Sequence, residues 1–208
     1  MRGFDHHVQA ARKEAEQQIR RLAYYDALTQ LPNRRLLDDR LQQAMVTSHR
    51  SGRYCALLFL DLDNFKPLND QHGHDVGDLL LVEVARRLEC STRKMDTVAR
   101  FGGDEFIVMI RELNIDRYIS NQHAGIVAEK VRNALAEPYF LHIAQGDGRE
   151  IVVEHHCTAS IGVVMFADHQ SSHEDIMKWA DIAMYQAKEK GGNTFHFYEP
   201  AQLLKQMR

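Results

Sequence analysis

Ala99-Arg100-Phe101-Gly102-Gly103-Asp104-Glu105-Phe106-Ile107-Val108-Met109-Ile110 joins two apolar, strand-favouring runs through a glycine pair and two adjacent carboxylates. The Gly102-Gly103 pair supplies the positive φ that a tight primed turn needs, so the stretch reads as a β-hairpin with Asp104 and Glu105 at its exposed tip. Carboxylates at a loop tip serve most often as solvated turn residues. A second carboxylate cluster brought beside them changes that reading.

Such a cluster ends the apolar run upstream. Tyr54-Cys55-Ala56-Leu57-Leu58-Phe59-Leu60-Asp61 is apolar without alternation, as expected of a central strand covered on both faces, and it runs out in Asp61-Leu62-Asp63. Strand side chains alternate, so Asp61 and Asp63 point one way and Leu62 turns into the core. Helix caps or turn formers at a strand exit are the structural alternative.

Outward from these two stretches the elements alternate. Residues 5–25 read as a polar connecting helix with Val8, Ala11, Ala15 and Leu22 on a heptad-like stripe and Ile19 slightly off it, about two heptads and so short of a secure coiled coil. Pro32 suits the first turn of a second helix, whose core face is Leu37, Leu41, Ala44 and Met45 and which stops before Ser51-Gly52. A loop with Phe65, Lys66, Asn69 and Asp70 leads to a helix near Asp75, buried through Val76, Leu80, Val84 and Leu88. Asp78 falls in its first turn, where the helix dipole favours a negative charge. Residues 116–136 read as a further helix closed by Glu137-Pro138. Strand-like runs Tyr139–Ala144 and Ile151–Phe166 follow, joined by the turn Gln145-Gly146-Asp147-Gly148, with a bend expected at Gly162. Ser172-His173-Glu174-Asp175 caps a helix buried through Ile176, Trp179, Ala180, Ala183 and Ala187 and ended by Gly191-Gly192, before a last strand at residues 194–198. His142, His155, His156 and Cys157 invite a zinc reading, but neighbouring strand residues face opposite sides and the spacing fits no established zinc motif.

The chain has 208 residues, 44% of them hydrophobic, and a net charge of -3, which fits one globular domain with an appendage: a connecting helix over 1–25, a domain over 26–199 and a tail or linker over 200–208. The near-neutral balance argues against a domain built to hold a nucleic-acid backbone. Cys55, Cys90 and Cys157 have neither metal-ligand nor redox spacing, and a reducing compartment follows. No apolar run approaches the roughly 18 residues of a membrane helix, and Met1–His7 lacks a signal-peptide core, so the expected location is cytoplasmic with no membrane contact by this segment.

Two adjacent hairpins among alternating strands and helices give an α+β architecture rather than a doubly wound parallel sheet. In a β-α-β-β-α-β core the first strand lies beside the central hairpin, which brings Asp61, with Asp63 as a further candidate, to Asp104 and Glu105. Carboxylate oxygens on converging rigid elements suit Mg²⁺ and nucleotide phosphates, and two such ions serve in-line displacement at phosphorus.

Here the residues resemble a known family. Arg100-Phe101-Gly102-Gly103-Asp104-Glu105-Phe106 matches the signature of the GGDEF family, and the likeness extends through Asp26-Ala27-Leu28-Thr29-Gln30-Leu31-Pro32-Asn33-Arg34, Asp61–Asp70, Gly73-His74-Asp75-Val76-Gly77-Asp78, Ala159-Ser160-Ile161-Gly162 and Ala180–Lys188. The resemblance implies a bacterial signalling enzyme, a diguanylate cyclase, with the palm-like fold of nucleotidyl cyclases and polymerases: a ferredoxin-like core, an antiparallel-containing central sheet and flanking helices. It implies condensation of two GTP into cyclic di-GMP and two pyrophosphates across a homodimer, with two Mg²⁺ per site and Mn²⁺ as a substitute.

Carried over by position, the resemblance gives Asp61, Asp104, Glu105 and the Leu62 carbonyl to the metal, and Glu105 with Asp104 to catalysis. Asn69 and Asp78 read guanine, the backbone at Asn64, Phe65 and Lys66 with the Lys188 side chain meets the phosphates, and Gly102 and Gly103 let the backbone approach the nucleotide. Arg93-Lys94-Met95-Asp96, with five residues between Asp96 and Gly102, resembles the family's inhibitory site for the product. Gly192 stands where many members carry an arginine, so one phosphate contact is expected to be missing. Leu141–Glu154 looks longer than usual. The resemblance implies sensory and phosphodiesterase domains as neighbours in a larger, membrane-anchored protein, and a non-catalytic module binding GTP or cyclic di-GMP is the alternative.

Overall fold

The computed structural model describes residues 2–144, 149–167 and 171–199. Five strands form one sheet in the order β2 (Thr97–Gly102), β3 (Glu105–Ile110), β1 (Cys55–Asp63), β6 (Thr158–Phe166) and β7 (Thr194–Phe197). Among the described residues only the β6–β7 pairing is parallel. The helices are α1 (Arg2–Tyr24), α2 (Arg34–Ser51), α3 (Phe65–His72), α4 (His74–Ser91), α5 (Arg117–Ala136) and α6 (His173–Glu189). The path β1-α4-β2-β3-α5-β6 is the expected β-α-β-β-α-β core, and the α+β class holds.

β1 lies at the centre because its apolar run serves two cores at once. Ala56, Leu58, Leu60 and Leu62 bury with α4 and α5 on one face; Cys55, Leu57 and Phe59 bury with α2 and α6 on the other. Its neighbours follow the same alternation, Phe106 and Val108 on the first face and Ile107 and Met109 on the second. The helix faces read from sequence pack as expected at Leu37, Leu41 and Ala44 and at Val76, Leu80, Val84 and Leu88. Asp116 caps α5 through Ile119 N–H, and Ser172 and Asp175 form the capping box of α6.

Several expectations need correction. Pro32 precedes α2 rather than opening it: Asn33 is the N-cap, accepting Leu36 N–H at 3.1 Å, while the Pro32 carbonyl accepts Arg100 N–H at 3.0 Å. The loop after β1 is the helix α3. The long run 151–166 divides at His156-Cys157 instead of bending at Gly162, so that β5 (Glu150–His155) pairs with β4 (Tyr139–Ala144) in a separate hairpin while β6 joins the main sheet. The turn read at 145–148 lies outside the described residues. Among the described residues no group of three His, Cys, Asp or Glu side chains is placed to hold a metal.

On α1 the side chains of Ile19 and Leu22 are exposed, and the stripe positions Val8 and Ala11 lie outside the described side chains. Among the described residues no helix is long and apolar enough to cross a membrane.

Candidate functional site

The register of the central strands brings the carboxylates together. Asp61 of β1 stands opposite Glu105 of β3 on one side and Ser160 of β6 on the other, so all three side chains leave the face that α6 covers. Leu62 N–H donates to the Asp104 carbonyl at 3.3 Å, which fixes the hairpin tip against the end of β1. At that tip only Gly103 has positive φ, +52°; the turn residues are Gly103 and Asp104, and Gly102 is the last paired residue of β2, opposite Glu105. The positive φ expected of the glycine pair is thus supplied by Gly103 alone.

Lys188, in the last turn of α6, completes the constellation: its Nζ lies 2.7 Å from Asp61 Oδ1. Burial pushes the Asp61 carboxyl above its usual range, against the Lys188 hydrogen bond that pulls it down, and the Asp104 charge adds to the rise. Glu105 is raised as well, first by burial and then by the charges of Asp61 and Asp104. Burial alone would lower Lys188, but the hydrogen bond and charge of Asp61, with Asp104 and Asp63, raise it. Burial leads the rise of the two carboxyls, and negative charge crowded at this strand end adds to all three shifts.

Asp61, Leu62, Asp63, Asn64, Phe65, Lys66, Pro67, Asp104, Thr158, Lys188, Gly191 and Gly192 line a cleft of about 570 Å³. The N-terminus of α3 opens onto it. Asn64, in the left-handed region at φ +63°, precedes that helix without a side-chain cap, which leaves the backbone N–H groups of its first turn available to an anion.

Asn69 and Asp78 lie outside this lining, on α3 and α4. Asn69 Oδ1 is buried without a hydrogen-bond partner, and a Cβ at Gly77 would fall on it, so the glycine makes room for the amide. A buried acceptor left unpaired costs about 1–3 kcal/mol, which rotation of the amide toward a ligand N–H would recover. Asp78 is exposed and sits just past the first turn of α4, since that helix starts at His74.

Arg93 and Asp96 stand at the opposite end of β2, beside a second cleft of about 500 Å³ that Arg40, Lys94 and Tyr25 also line. Asp96 accepts the backbone N–H of Arg93 at 3.0 Å and of Arg111 at 3.3 Å, and the Arg93 side chain is exposed.

Sequence reasoning missed the contact that steadies the tip. Arg100 donates to the Gly103 carbonyl from Nε at 3.0 Å and from a terminal nitrogen at 2.7 Å, and pairs with Asp26 at 3.2 Å. Both residues were in view as parts of motifs, but a contact between positions 74 apart leaves no local pattern. Burial would raise the Asp26 carboxyl; the Thr29 N–H and O–H and the Arg100 charge outweigh it and hold the group below its ordinary value. A lowered carboxyl stabilises the fold above its unfolded value and loses that contribution as pH falls through the folded one. Asp26→Ala is therefore expected to lower stability by about 2 kcal/mol at pH 7 in urea unfolding, with the gap to the parent closing below about pH 4. An unchanged gap at pH 3 would disprove the charge assignment.

Comparison with known proteins converges on one family. Residues 23–194 match the family described as "Diguanylate cyclase, GGDEF domain". The chain is 43% identical over 186 residues to the bifunctional diguanylate cyclase/cyclic di-GMP phosphodiesterase MucR of Pseudomonas aeruginosa, covering 89% of this chain and 25% of that protein, so it spans about a quarter of that relative's length. The solved GGDEF domain of TpbB from the same organism superposes with a TM-score of 0.75 at 31% identity, over 89% of this chain and 100% of that one. The coiled coil and GGDEF domain of DgcB from Caulobacter crescentus, solved with cyclic di-GMP, gives a TM-score of 0.78 at 27% identity over 94% and 97%. The chain belongs to the GGDEF family, that of the diguanylate cyclase domain.

Proposed function

We propose that this chain condenses two GTP molecules into cyclic di-GMP, two copies meeting so that each 3′-hydroxyl attacks the α-phosphorus of the other's GTP and pyrophosphate leaves. The observation that carries the reading is the meeting of Asp61, Asp104, Glu105 and Lys188 beside the open N-terminus of α3.

The donor set fits a hard cation. All the candidate ligands are oxygens, from Asp61, Asp104, Glu105 and the Leu62 carbonyl, and too few converge in the described chain to make a cage by themselves. This suits Mg²⁺, which is held by one or two carboxylates with substrate phosphates, and Mn²⁺ takes the same donors. Bound there, the ions would polarise the α-phosphate and favour the alkoxide of the attacking hydroxyl.

The chain's own residues do the rest. Backbone N–H groups at Phe65 and Lys66 take phosphate oxygens at the α3 N-terminus. Lys188 leaves Asp61 for the triphosphate, exchanging one anion for a more highly charged one. The Asn69 amide turns from Gly77 to read the guanine edge, with Asp78 as the second reader. Glu105, at the start of β3 opposite Asp61, accepts the 3′-hydroxyl proton.

Incubating the purified chain with GTP and Mg²⁺ and separating the products by chromatography tests the reading. Cyclic di-GMP is expected; no product at a protein concentration high enough to force pairing overturns catalysis, and retained cyclic di-GMP binding would then identify a regulatory module. For the second cleft the expected role is product inhibition, with the exposed Arg93 guanidinium gripping phosphate. Arg93→Ala should weaken cyclic di-GMP binding at least about tenfold in calorimetry, the loss of one charge-assisted contact, and relieve inhibition in turnover. Unchanged affinity would remove Arg93 from that site.

A further inference from the structure

Asp63 looks like a partner of Asp61 in sequence, two residues on and facing the same side of β1. Its carboxylate already accepts three hydrogen bonds from the protein. Oδ2 accepts the Thr158 hydroxyl at 2.7 Å and the Asn193 N–H at 3.0 Å, and Oδ1 accepts the Ser160 hydroxyl at 2.7 Å. Thr158 and Ser160 are neighbours on the same face of β6, so the carboxylate bridges the ends of two strands. The third donor comes from elsewhere, the turn that follows α6, where Asn193 lies five residues after Lys188.

That turn is built to meet the carboxylate. Gly192 at φ +73° and Asn193 at φ +46° are consecutive left-handed residues, and a Cβ on Gly192 would stand 3.0–3.1 Å from the Asp63 carboxylate. Left-handed backbone at a non-glycine residue costs about 1–2 kcal/mol and persists only where surrounding contacts impose it. Here they do: Asp63 holds Asn193 N–H, and Arg132 of α5 donates to Asn193 Oδ1 at 2.9 Å. The turn's other end is tied back to the helix by Gly191 N–H to the Lys188 carbonyl at 3.0 Å and Gly192 N–H to the Ala187 carbonyl at 3.2 Å. Gly191 and Gly192 form the wall of the cleft next to Lys188.

We infer that Asp63 is a positioning residue: it fastens the 191–193 turn to the end of β1, sets the cleft wall and the height of Lys188 above Asp61, and takes no part in metal ligation. A carboxylate whose two oxygens already accept three protein hydrogen bonds has a poor claim on a cation that Asp61 and Asp104 reach from the same cleft. The inference rests on the nucleotide reading of that cleft.

The test is binding of 3′-deoxy-GTP, which lacks the attacking hydroxyl, measured by calorimetry with Mg²⁺ and by the electron paramagnetic resonance of bound Mn²⁺. Asp63→Asn preserves the anchor, since one amide oxygen still accepts Thr158 and Asn193 while the Ser160 hydroxyl turns to accept the amide N–H. It should bind within threefold of the parent with the same Mn²⁺ count. Asp63→Ala should bind at least tenfold more weakly, and Asp61→Asn should lose Mn²⁺. Asp63→Asn losing Mn²⁺ as Asp61→Asn does, or Asp63→Ala binding like the parent, overturns the inference. No binding by the parent chain overturns the nucleotide reading itself.

Discussion

Glu105→Gln is expected to cut cyclic di-GMP formation by at least about 10³-fold, the order seen when one preorganised electrostatic group is removed from an active site. The amide keeps the shape and the partial burial of the side chain and loses both the anion and the ability to take a proton. Nothing structural should suffer. Glu105 is the first residue of β3, paired to Gly102 and Asp61 through backbone alone, and its carboxylate is raised by burial and by Asp61 and Asp104, so ionising it works against the fold. A carboxyl raised in the folded state stabilises while protonated, and that contribution is lost as pH rises through the folded value. The glutamine variant should therefore melt no lower than the parent at neutral pH, with any advantage fading as pH falls. Activity loss with equal or greater stability and retained 3′-deoxy-GTP binding identifies Glu105 as a catalytic residue. Turnover within tenfold of the parent would show that the 3′-hydroxyl proton and the metal are handled without it.

What the sequence disclosed and what it hid have different physical origins. β1 was legible because a strand buried on both faces needs an unbroken apolar run, and few other elements allow one. With β1 placed and the hairpin recognised by its glycines, the pairing of Asp61 with Glu105 followed from topology. α3 was not legible: eight residues holding Pro67, Asn69, Asp70 and His72 have poor helix propensity, and only Leu68 is fully buried. Pro67 is tolerated because it lies in the first turn, where no intrahelical N–H bond is lost. Tertiary contacts, including Asn69 lodged against Gly77, supply what propensity lacks. The division at His156-Cys157 was hidden for the opposite reason, since every residue from 151 to 166 tolerates a strand. Its trace was the change from the exposed, charged β5 to the buried β6. Asp63 shows the limit most clearly: spacing makes it a twin of Asp61, and only its three donors, from positions 95, 97 and 130 residues away, tell them apart.

Gly162→Ala is expected to destabilise the fold by about 3 kcal/mol or more, the upper range for overpacking, because what the new methyl meets is backbone. A Cβ at 162 would fall on the Ala180 carbonyl oxygen and the Met184 amide nitrogen and lie 3.0 Å from the Ala183 carbonyl carbon. These atoms belong to α6, which comes this close to β6 because its inward residues Ala180, Ala183 and Ala187 are small and fully buried. A side chain has rotamers with which to yield; a helix backbone held by its own hydrogen bonds does not, so the whole of α6 must lift. The glycine expected to bend the strand instead sits in regular register between Phe59 of β1 and His196 of β7, and its role is to bring α6 down onto the sheet. Lys188 rides on the same helix, so lifting α6 also draws Nζ from Asp61, and turnover should fall with stability rather than independently of it. The loss should appear as a lower urea midpoint with an unchanged slope, the sign of reduced stability without a change in the surface exposed. Gly125→Ala is the matched control: it lies inside α5 and its Cβ would meet only the Phe197 ring at 3.9 Å, so alanine there should gain up to about 1 kcal/mol from helix propensity. Equal midpoints for the two variants would mean that α6 can yield, and that close helix–sheet contact is not what places Lys188 over the carboxylates.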